Sequence, residues 1–155
     1  MTETAGAAWL LHGPRHWARV ERNGVHLARL AGMDNLLVRL FAVLHDCMRE
    51  NEGGDPGHGS RAAEYAEAIR AHLPPLTDEL FDLLCFACRF HTGEIHTESE
   101  IVGICWDADR LDLGRVGMIP DADYLNSAEA KRIATESDFA VLEQTEVRNP
   151  ARYRG

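Results

Sequence analysis

Residues 41–59 read FAVLHDCMRENEGGDPGHG, and this stretch carries the main clue to the fold. Phe41 and Leu44 are typical of the buried face of a helix, yet His45 and Asp46 follow them directly. Burying a polar or charged group without a partner costs roughly 2–7 kcal/mol. We therefore expect His45 and Asp46 to have a partner inside the protein, and NEGGDPG to form a turn-rich loop.

The composition is that of one ordinary folded domain. The chain has 155 residues, of which 45% are hydrophobic and 26% are charged, so a single core of normal size is expected. The 16 Lys and Arg residues against 25 Asp and Glu leave a formal net charge of −9. This balance argues against nucleic acid as the main partner, because phosphate backbones are bound by clusters of Lys and Arg. A small phosphorylated ligand stays compatible, since it needs only local positive charge or a metal ion.

The N-terminus and the cysteines favour a cytoplasmic location. MTETAGAAWLLHGPRHW lacks the basic start and the unbroken apolar run of a secretory signal. No apolar run reaches the roughly 18 residues that a membrane helix needs. In the cytoplasm the four cysteines are expected to be thiols, and Cys85 and Cys88 are assigned to the core rather than to a zinc or redox site.

Proline, glycine and capping residues divide the chain into helical segments. The spacing of apolar residues predicts helices over 14–30, 35–49, 58–73, 77–91, 97–113 and 127–144, followed by an extended tail. Asp34 is a predicted N-cap, and Thr97 with Glu100 forms a predicted capping box. Sustained strand alternation is absent from the sequence. The predicted fold class is therefore all-α, a single compact bundle of five to six main helices around one core.

Several polar side chains lie on or beside the stripes that these helices should bury. The set comprises His16, His45, His91 and Asp109. A single inward histidine is more often a hydrogen-bonded core residue than a metal ligand. Several on separate helices favour a metal site, and imidazole combined with carboxylate suits Zn, Mn, Fe or Ni.

Five short motifs occur in a characteristic order. They are HWARV at 16–20, LHD at 44–46, HGSRAAE at 58–64, FHTG at 90–93 and DADRLD at 107–112. In this order and helical setting the chain resembles the HD-domain metal-dependent phosphohydrolases over about residues 12–115. An adjacent His-Asp pair is a weak signal by itself, whereas the ordered set is a strong one.

The resemblance implies a ligand set. Four residues match the core motif and would hold one metal ion, namely His16, His45, Asp46 and Asp109. Members with a larger site hold a second ion with two further histidines, matched here by His58 and His91, and Asp46 would then bridge the ions. Residues 1–126 would form this HD-type metal-binding domain, with a C-terminal helix and tail over 127–155 packed on it.

Two matches within this set have alternatives. DADRLD also contains Asp107 and Asp112, and Asp109 is preferred because it follows Ala and precedes Arg-Leu, as in the family. FHTGEIH also contains His96, and His91 is preferred because it fits the end of the fourth helix.

The resemblance also implies an activity. It is the hydrolysis of a phosphomonoester or phosphodiester in a small molecule, such as a nucleotide, by water activated on one or two divalent ions (Mn, Fe, Zn, Ni or Co). Asp46 is the catalytic residue of this interpretation. Arg49 is the first choice for contact with substrate, followed by Arg19 and Arg61, because a guanidinium group matches phosphate geometry. Two alternatives stay open: a di-iron oxygenase of the same fold, and a non-catalytic, metal-stabilised binding module.

Overall fold

The computed structural model of the protein describes residues 11–147, and the regular elements within this range are helical. The α-helices follow in the order α1 (Pro14–Leu30), α2 (Leu36–Leu44), α3 (His58–Ala68), α4 (Asp78–Phe90), α5 (Glu100–Arg110), α6 (Ala128–Glu136) and α7 (Ala140–Glu143). Short 3₁₀ helices span Arg70–His72, Leu113–Val116 and Ala122–Tyr124. The predicted all-α class is confirmed.

Local sequence signals set several helix ends. Pro14 occupies the first turn of α1, where its missing N–H has no helical partner to lose. Gly32 follows the same helix with a φ of +68°, the left-handed conformation in which glycine is favoured. The start of α5 differs from the prediction, because Oγ of Ser99 accepts the N–H of Val102, while Thr97 caps only the N–H of Ser99.

Helix α2 is shorter than predicted and ends at Leu44. Nδ1 of His45 lies 3.1 Å from the carbonyl oxygen of Phe41 and 3.0 Å from that of Ala42, and donates to these last helical carbonyls. The chain turns at this point, so that His45 and Asp46 lie in the turn after α2 rather than within a longer helix. This turn aims the two neighbouring side chains into the same interior space.

Two further helix boundaries differ from the prediction. Asn35 rather than Asp34 is the N-cap of α2, although the carboxylate of Asp34 accepts the N–H of Leu36 at 2.8 Å. The segment 127–144, predicted as one helix, is two helices, α6 and α7. Ser137 separates them because its φ of 53° is incompatible with a continuous right-handed helix.

Helix α2 lies at the centre of the fold. Helices α1, α4 and α5 pack against it, and α3 packs along α4. Phe41 of α2 and Trp106 of α5 are fully buried, and Trp106 donates its indole N–H to the carbonyl of Ala87 in α4 at 2.9 Å. Burial of one such side chain contributes about 1.5–3 kcal/mol to stability. This packing brings the start of α1, the start of α3 and the ends of α2, α4 and α5 close together.

The close approach of α3 to α4 requires glycine at position 59. A Cβ atom on Gly59 would lie 2.6 Å from the carbonyl oxygen of Cys88 and 2.9 Å from that of Arg89, both below normal contact distance. The absence of a side chain therefore lets the first turn of α3 rest on the last turn of α4. His58 and His91, each adjacent to this contact, are brought side by side.

The C-terminal helices α6 and α7 pack on α1. Ala130, Ile133 and Leu142 are buried in the same hydrophobic core as the residues of α1 and α2. Most of the predicted tail lies outside the described residues. Within residues 11–147, no helix is both long and apolar enough to cross a bilayer; the cytoplasmic location stays a prediction.

Candidate metal centre

Six side chains that lie in helices α1 to α5, or directly after them, converge at one place in the interior. His16 lies in the first turn of α1, His45 and Asp46 follow α2, His58 begins α3, His91 follows α4, and Asp109 lies near the end of α5. The four histidines and Asp46 are each at most 3% exposed, and the Asp109 side chain is 15% exposed. All six predicted ligands therefore come from different parts of the chain to one buried place.

Asp46 stands between two pairs of histidines. Its Oδ2 atom lies 3.4 Å from Nε2 of both His16 and His45. Its Oδ1 atom lies 3.2 Å from Nε2 of His58 and 3.5 Å from Nε2 of His91. Each oxygen thus faces one pair, and each pair together with Asp46 forms a compact group that is able to hold a metal ion. A carboxylate in this position is suited to bridge two ions.

The other ring nitrogen of each histidine is held by an oxygen acceptor. Nδ1 lies 2.7 Å from a carboxylate oxygen of Asp112 in His16 and 2.7 Å from the carbonyl oxygen of Cys88 in His91. In His45 and His58 the Nδ1 partners are likewise backbone carbonyl oxygens. Such oxygens only accept, so Nδ1 carries the proton, and Nε2 presents a lone pair when the ring is neutral, as it is in a metal ligand. This is the arrangement that orients metal-binding histidines.

The facing nitrogen atoms fit a cation. The Nε2 atoms of His16 and His45 are 3.1 Å apart, and those of His58 and His91 are 2.9 Å apart. Two lone pairs at these distances repel each other unless positive charge lies beside both. Two ligands that share one transition-metal ion lie about 3.0–3.4 Å apart, as follows from bond lengths near 2.1 Å. The donor set therefore fits a metal at each pair.

Asp109 supplies a second sign of a missing partner. Its Oδ1 atom is buried and has no hydrogen-bond partner among the described residues. The same atom lies 3.1 Å from Nε2 of His16 and 3.5 Å from Nε2 of His45. An unsatisfied buried carboxylate oxygen is costly, and a cation shared with the two histidines would satisfy it.

Comparison with known proteins identifies the family. No family model matches the chain, and no curated protein matches it. A solved structure does match: the crystal structure of a predicted HD superfamily hydrolase from an uncultured Thermotogales bacterium. The two are 26% identical, with a TM-score of 0.66 over 85% of this chain and 76% of the other. The chain belongs to the HD superfamily.

Electrostatics in this HD protein favour positive charge between the imidazoles. Burial alone would lower the pKa of His16, but its contacts with the carboxylates of Asp109, Asp112 and Asp46 raise it to about 9. Burial also opposes protonation of His45, and the charge of Asp46 nevertheless raises its pKa to about 10. Two protons do not fit between nitrogen atoms 3.1 Å apart, whereas one divalent cation would satisfy both rings and the carboxylates.

Three residues near the ligands in the HD protein were not assigned this role from the sequence. Asp112, considered only as an alternative ligand, lies behind His16 as its Nδ1 acceptor. Asp55 presents its carbonyl oxygen to Nδ1 of His58. Nδ1 of His12 lies 3.1 Å from Oδ2 of Asp46. The position of Asp112 one turn after Asp109 was a usable signal, whereas the loop residues His12 and Asp55 follow no periodic pattern.

Two of the three predicted substrate arginines lie behind the ligands. Nε of Arg19 donates to Asp112 at 2.7 Å, on the far side of His16. Nη2 of Arg61 donates to both carboxylate oxygens of Asp55 at 2.6 and 2.8 Å, and its Nε donates to the carbonyl of Met48. Contact of either residue with substrate stays a prediction, while their observed contacts support ligand positions.

A cavity of about 620 Å³ opens beside the metal centre of the HD protein. Asp46, His91 and Asp109 contribute to its lining, together with Arg49 and Arg115. Nε of Arg49 donates to Oδ1 of Asp46 at 3.1 Å. Another cavity, of about 640 Å³, lies by the start of α6 and is lined by none of the six predicted ligands. The first cavity is therefore the candidate site for a substrate, and the family, cluster and cavity together fit a metal-dependent hydrolase.

Proposed function

We propose that the protein is a metal-dependent phosphohydrolase that cleaves a phosphomonoester or phosphodiester in a small molecule. The observation that carries the proposal is the buried ligand set around Asp46, in which two pairs of histidine Nε2 atoms face each other beside a cavity that contains arginine. One or two divalent ions, drawn from Mn, Fe, Zn, Ni and Co, are the proposed cofactors. When bound, such ions activate water and neutralise charge on phosphoryl oxygens.

The residues of the chain supply position and charge for this reaction. Asp46, whose two oxygens each face one histidine pair, would help to hold the ions and is the proposed catalytic residue. Arg49 is held by its Nε bond to Asp46, and its Nη2 atom donates to no acceptor within residues 11–147. Nη2 of Arg115 lies 3.8 Å from Oδ1 of Asp109, beyond hydrogen-bond distance. These two guanidinium groups therefore retain N–H donors beside the ligands, where a phosphoryl group would sit.

The proposal is tested on the purified protein with its native metal. Elemental analysis gives the metal content, and a panel of phosphomonoesters and phosphodiesters is assayed for phosphate or alcohol release. We expect bound transition metal and turnover of at least one phosphoester, and Arg49→Lys is expected to raise KM because a lysine lacks the planar fork. Arg132→Lys, on helix α6 and outside the lining of the cavity, is the matched control and should change neither KM nor kcat.

Other outcomes discriminate the alternatives. Tight metal binding without hydrolysis of any phosphoester in the panel would overturn the proposal. Bound iron with substrate-dependent O₂ uptake would instead support the oxygenase. Loss of both metal and folding in the double variant His45→Ala with Asp46→Ala, in a protein without turnover, would support a metal-stabilised binding module.

A further inference from the structure

The cavity beside the metal centre has two chemically different ends. Arg49 and Arg115 lie at the metal end, and each side chain is 10% exposed. The outer end is lined by four large hydrophobic side chains that are 44–82% exposed, namely Ile95, Met118, Ile119 and Tyr124. They are four of the ten exposed large hydrophobic residues within the described range. Exposed apolar groups concentrated at one cavity mouth mark a binding surface.

Arg110 holds the two walls of this outer end together. Its guanidinium group donates to the carbonyls of Ile95 and Tyr124 at 2.6 and 2.8 Å, and also to the carbonyl of Glu94. These bonds tie the loop after α4 to the 3₁₀ helix Ala122–Tyr124. Because its N–H groups already donate to backbone carbonyls, Arg110 stabilises the lining of the cavity and is not assigned to phosphate binding.

The charges at the outer end are negative. The exposed carboxylates of Glu94 and Asp121 line the cavity there. Apart from Arg110, the described lining residues at this end include no Lys or Arg. A second phosphate on a substrate would therefore meet like charge and apolar surface instead of cations.

We propose that the cavity selects phosphate monoesters with an uncharged apolar or aromatic organic group, and that Ile95, Met118, Ile119 and Tyr124 bind that group. This proposal rests on the proposed phosphohydrolase function. The oxygen of water forms a bond to phosphorus as the bond from phosphorus to the ester oxygen breaks. Inorganic phosphate is released, and the organic group leaves as its alcohol with a proton from the water.

Three esters with similar alcohol leaving groups test the selection. They are ethyl phosphate, 2-phenylethyl phosphate and ethylene glycol bisphosphate, assayed with the metal-loaded protein. Because the phenyl ring would be removed from water against the apolar wall, we expect kcat/KM for 2-phenylethyl phosphate to exceed that for ethyl phosphate by at least about tenfold. The bisphosphate should be no better than ethyl phosphate. Calorimetric binding of 2-phenylethylphosphonate and ethylphosphonate should follow the same order, independently of turnover.

Variants of the outer end connect the preference to named residues. Ile119→Ser, at a side chain that is 82% exposed, should reduce the preference for the phenylethyl ester to less than about threefold. Asp121→Asn keeps the oxygen that accepts the N–H of Asp123 and should raise kcat/KM for the bisphosphate. Leu30→Ser, at an exposed leucine that lines the other cavity and not this one, is the matched control and should leave all three values unchanged.

The outcomes separate the two proposals. Hydrolysis of the three esters at equal efficiency, or fastest hydrolysis of the bisphosphate, overturns the selection and leaves the phosphohydrolase function standing. If Ile119→Ser keeps the wild-type preference for the phenylethyl ester, and circular dichroism shows that the variant is folded, the assignment of the hydrophobic side chains as the binding site of the organic group is wrong. Hydrolysis of none of the three esters together with binding of neither phosphonate also overturns the selection. The phosphohydrolase function is overturned only if the wider panel of phosphomonoesters and phosphodiesters is not hydrolysed either.

Discussion

Two clusters of histidine, carboxylate and arginine in this protein differ in how completely their polar atoms are paired. In the surface cluster of His26, Glu129 and Arg132, both oxygens of Glu129 accept from Arg132, and the histidine ring lies 3.1 Å from Oε1. In the metal centre, the histidine Nε2 atoms face each other and Oδ1 of Asp109 has no hydrogen-bond partner among the described residues. The same residue types therefore satisfy each other's polar atoms in one site and leave polar atoms unpaired in the other, where a cation would satisfy them.

The comparison teaches that composition alone does not make a metal site. The surface cluster is partly exposed, and water screens and solvates its charges. The metal centre is buried, where an unpaired donor or acceptor is costly. The predictions below test whether this difference in pairing, rather than the presence of histidine and acid, decides metal binding.

Replacement of the shared carboxylate should have the largest effect. Asp46→Asn keeps the shape of the side chain but removes the charge that faces both histidine pairs. We expect a loss of metal affinity beyond the roughly 10- to 100-fold that follows removal of a residue behind a ligand, and loss of hydrolysis with it. Elemental analysis after dialysis measures the first effect. Glu129→Gln is the matched control in the surface cluster and should retain the wild-type metal content. A wild-type metal content in Asp46→Asn would contradict the prediction that the Asp46 charge is needed for metal binding.

Metal removal should destabilise the protein through the same centre. At a free metal concentration of 1,000 times Kd, a ligand that binds only the folded state adds about 4 kcal/mol to the free energy of unfolding. Urea unfolding with and without a chelator is expected to show a loss of this size in the wild type. The chelator should have no effect on Asp46→Asn. A wild-type unfolding curve that is insensitive to the chelator would show that the buried cluster needs no metal ion for its stability.

Arg61 should act on metal binding without touching a metal. It holds Asp55, whose carbonyl oxygen orients His58. Arg61→Gln is expected to weaken binding at the His58 and His91 pair by about 10- to 100-fold, as measured by metal titration, because residues behind the ligands contribute on this scale. Arg132→Gln in the surface cluster is the control and should not change the titration. Unaltered binding in Arg61→Gln would mean that His58 needs no such support.

The surface cluster should contribute a small, pH-dependent stabilisation. Hydrogen bonds from Arg132, opposed by burial and reinforced by the contact with His26, lower the pKa of Glu129 from 4.5 to about 2. Since the folded-state pKa is depressed, this stabilisation is full above pH 4.5 and disappears as the pH falls through 2. Glu129→Gln should therefore lower the free energy of unfolding by about 1 kcal/mol or less at pH 7. Urea midpoints at pH 7 and pH 3 should show the difference shrinking; a constant difference would contradict the assignment.

The sequence was sufficient for the fold class and for most helix positions, because apolar spacing, Pro14 and Gly32 are local signals. It was less reliable at several helix ends. The early end of α2 follows from the His45 side chain bonding backbone carbonyls, and the break at Ser137 follows from one left-handed residue. Neither event changes the periodic pattern from which helix length is read. Whether the His45 ring bonds to these backbone carbonyls depends on its surroundings in the folded protein.

Candidate ligands were also predictable, whereas the roles of the arginines were not. The motif order selected six residues that the structure brings together at one buried place. The sequence ranked Arg49 ahead of Arg19 and Arg61 for contact with substrate, but all three were assigned the same role. Only the folded contacts separate Arg49, which lines the cavity, from the two that hold carboxylates behind the histidines.

The sequence by itself determined an all-α fold and an ordered set of histidines and aspartates placed at helix starts and ends. These properties are local or periodic, so they can be predicted from residue type and spacing. The tertiary structure alone decided which nitrogen of each histidine faces inward, that Asp46 presents one oxygen to each pair, and that exposed hydrophobic side chains line the same cavity as two arginines. The physical reason is that lone-pair direction, burial and charge balance depend on groups distant in sequence, which meet only after the helices have packed.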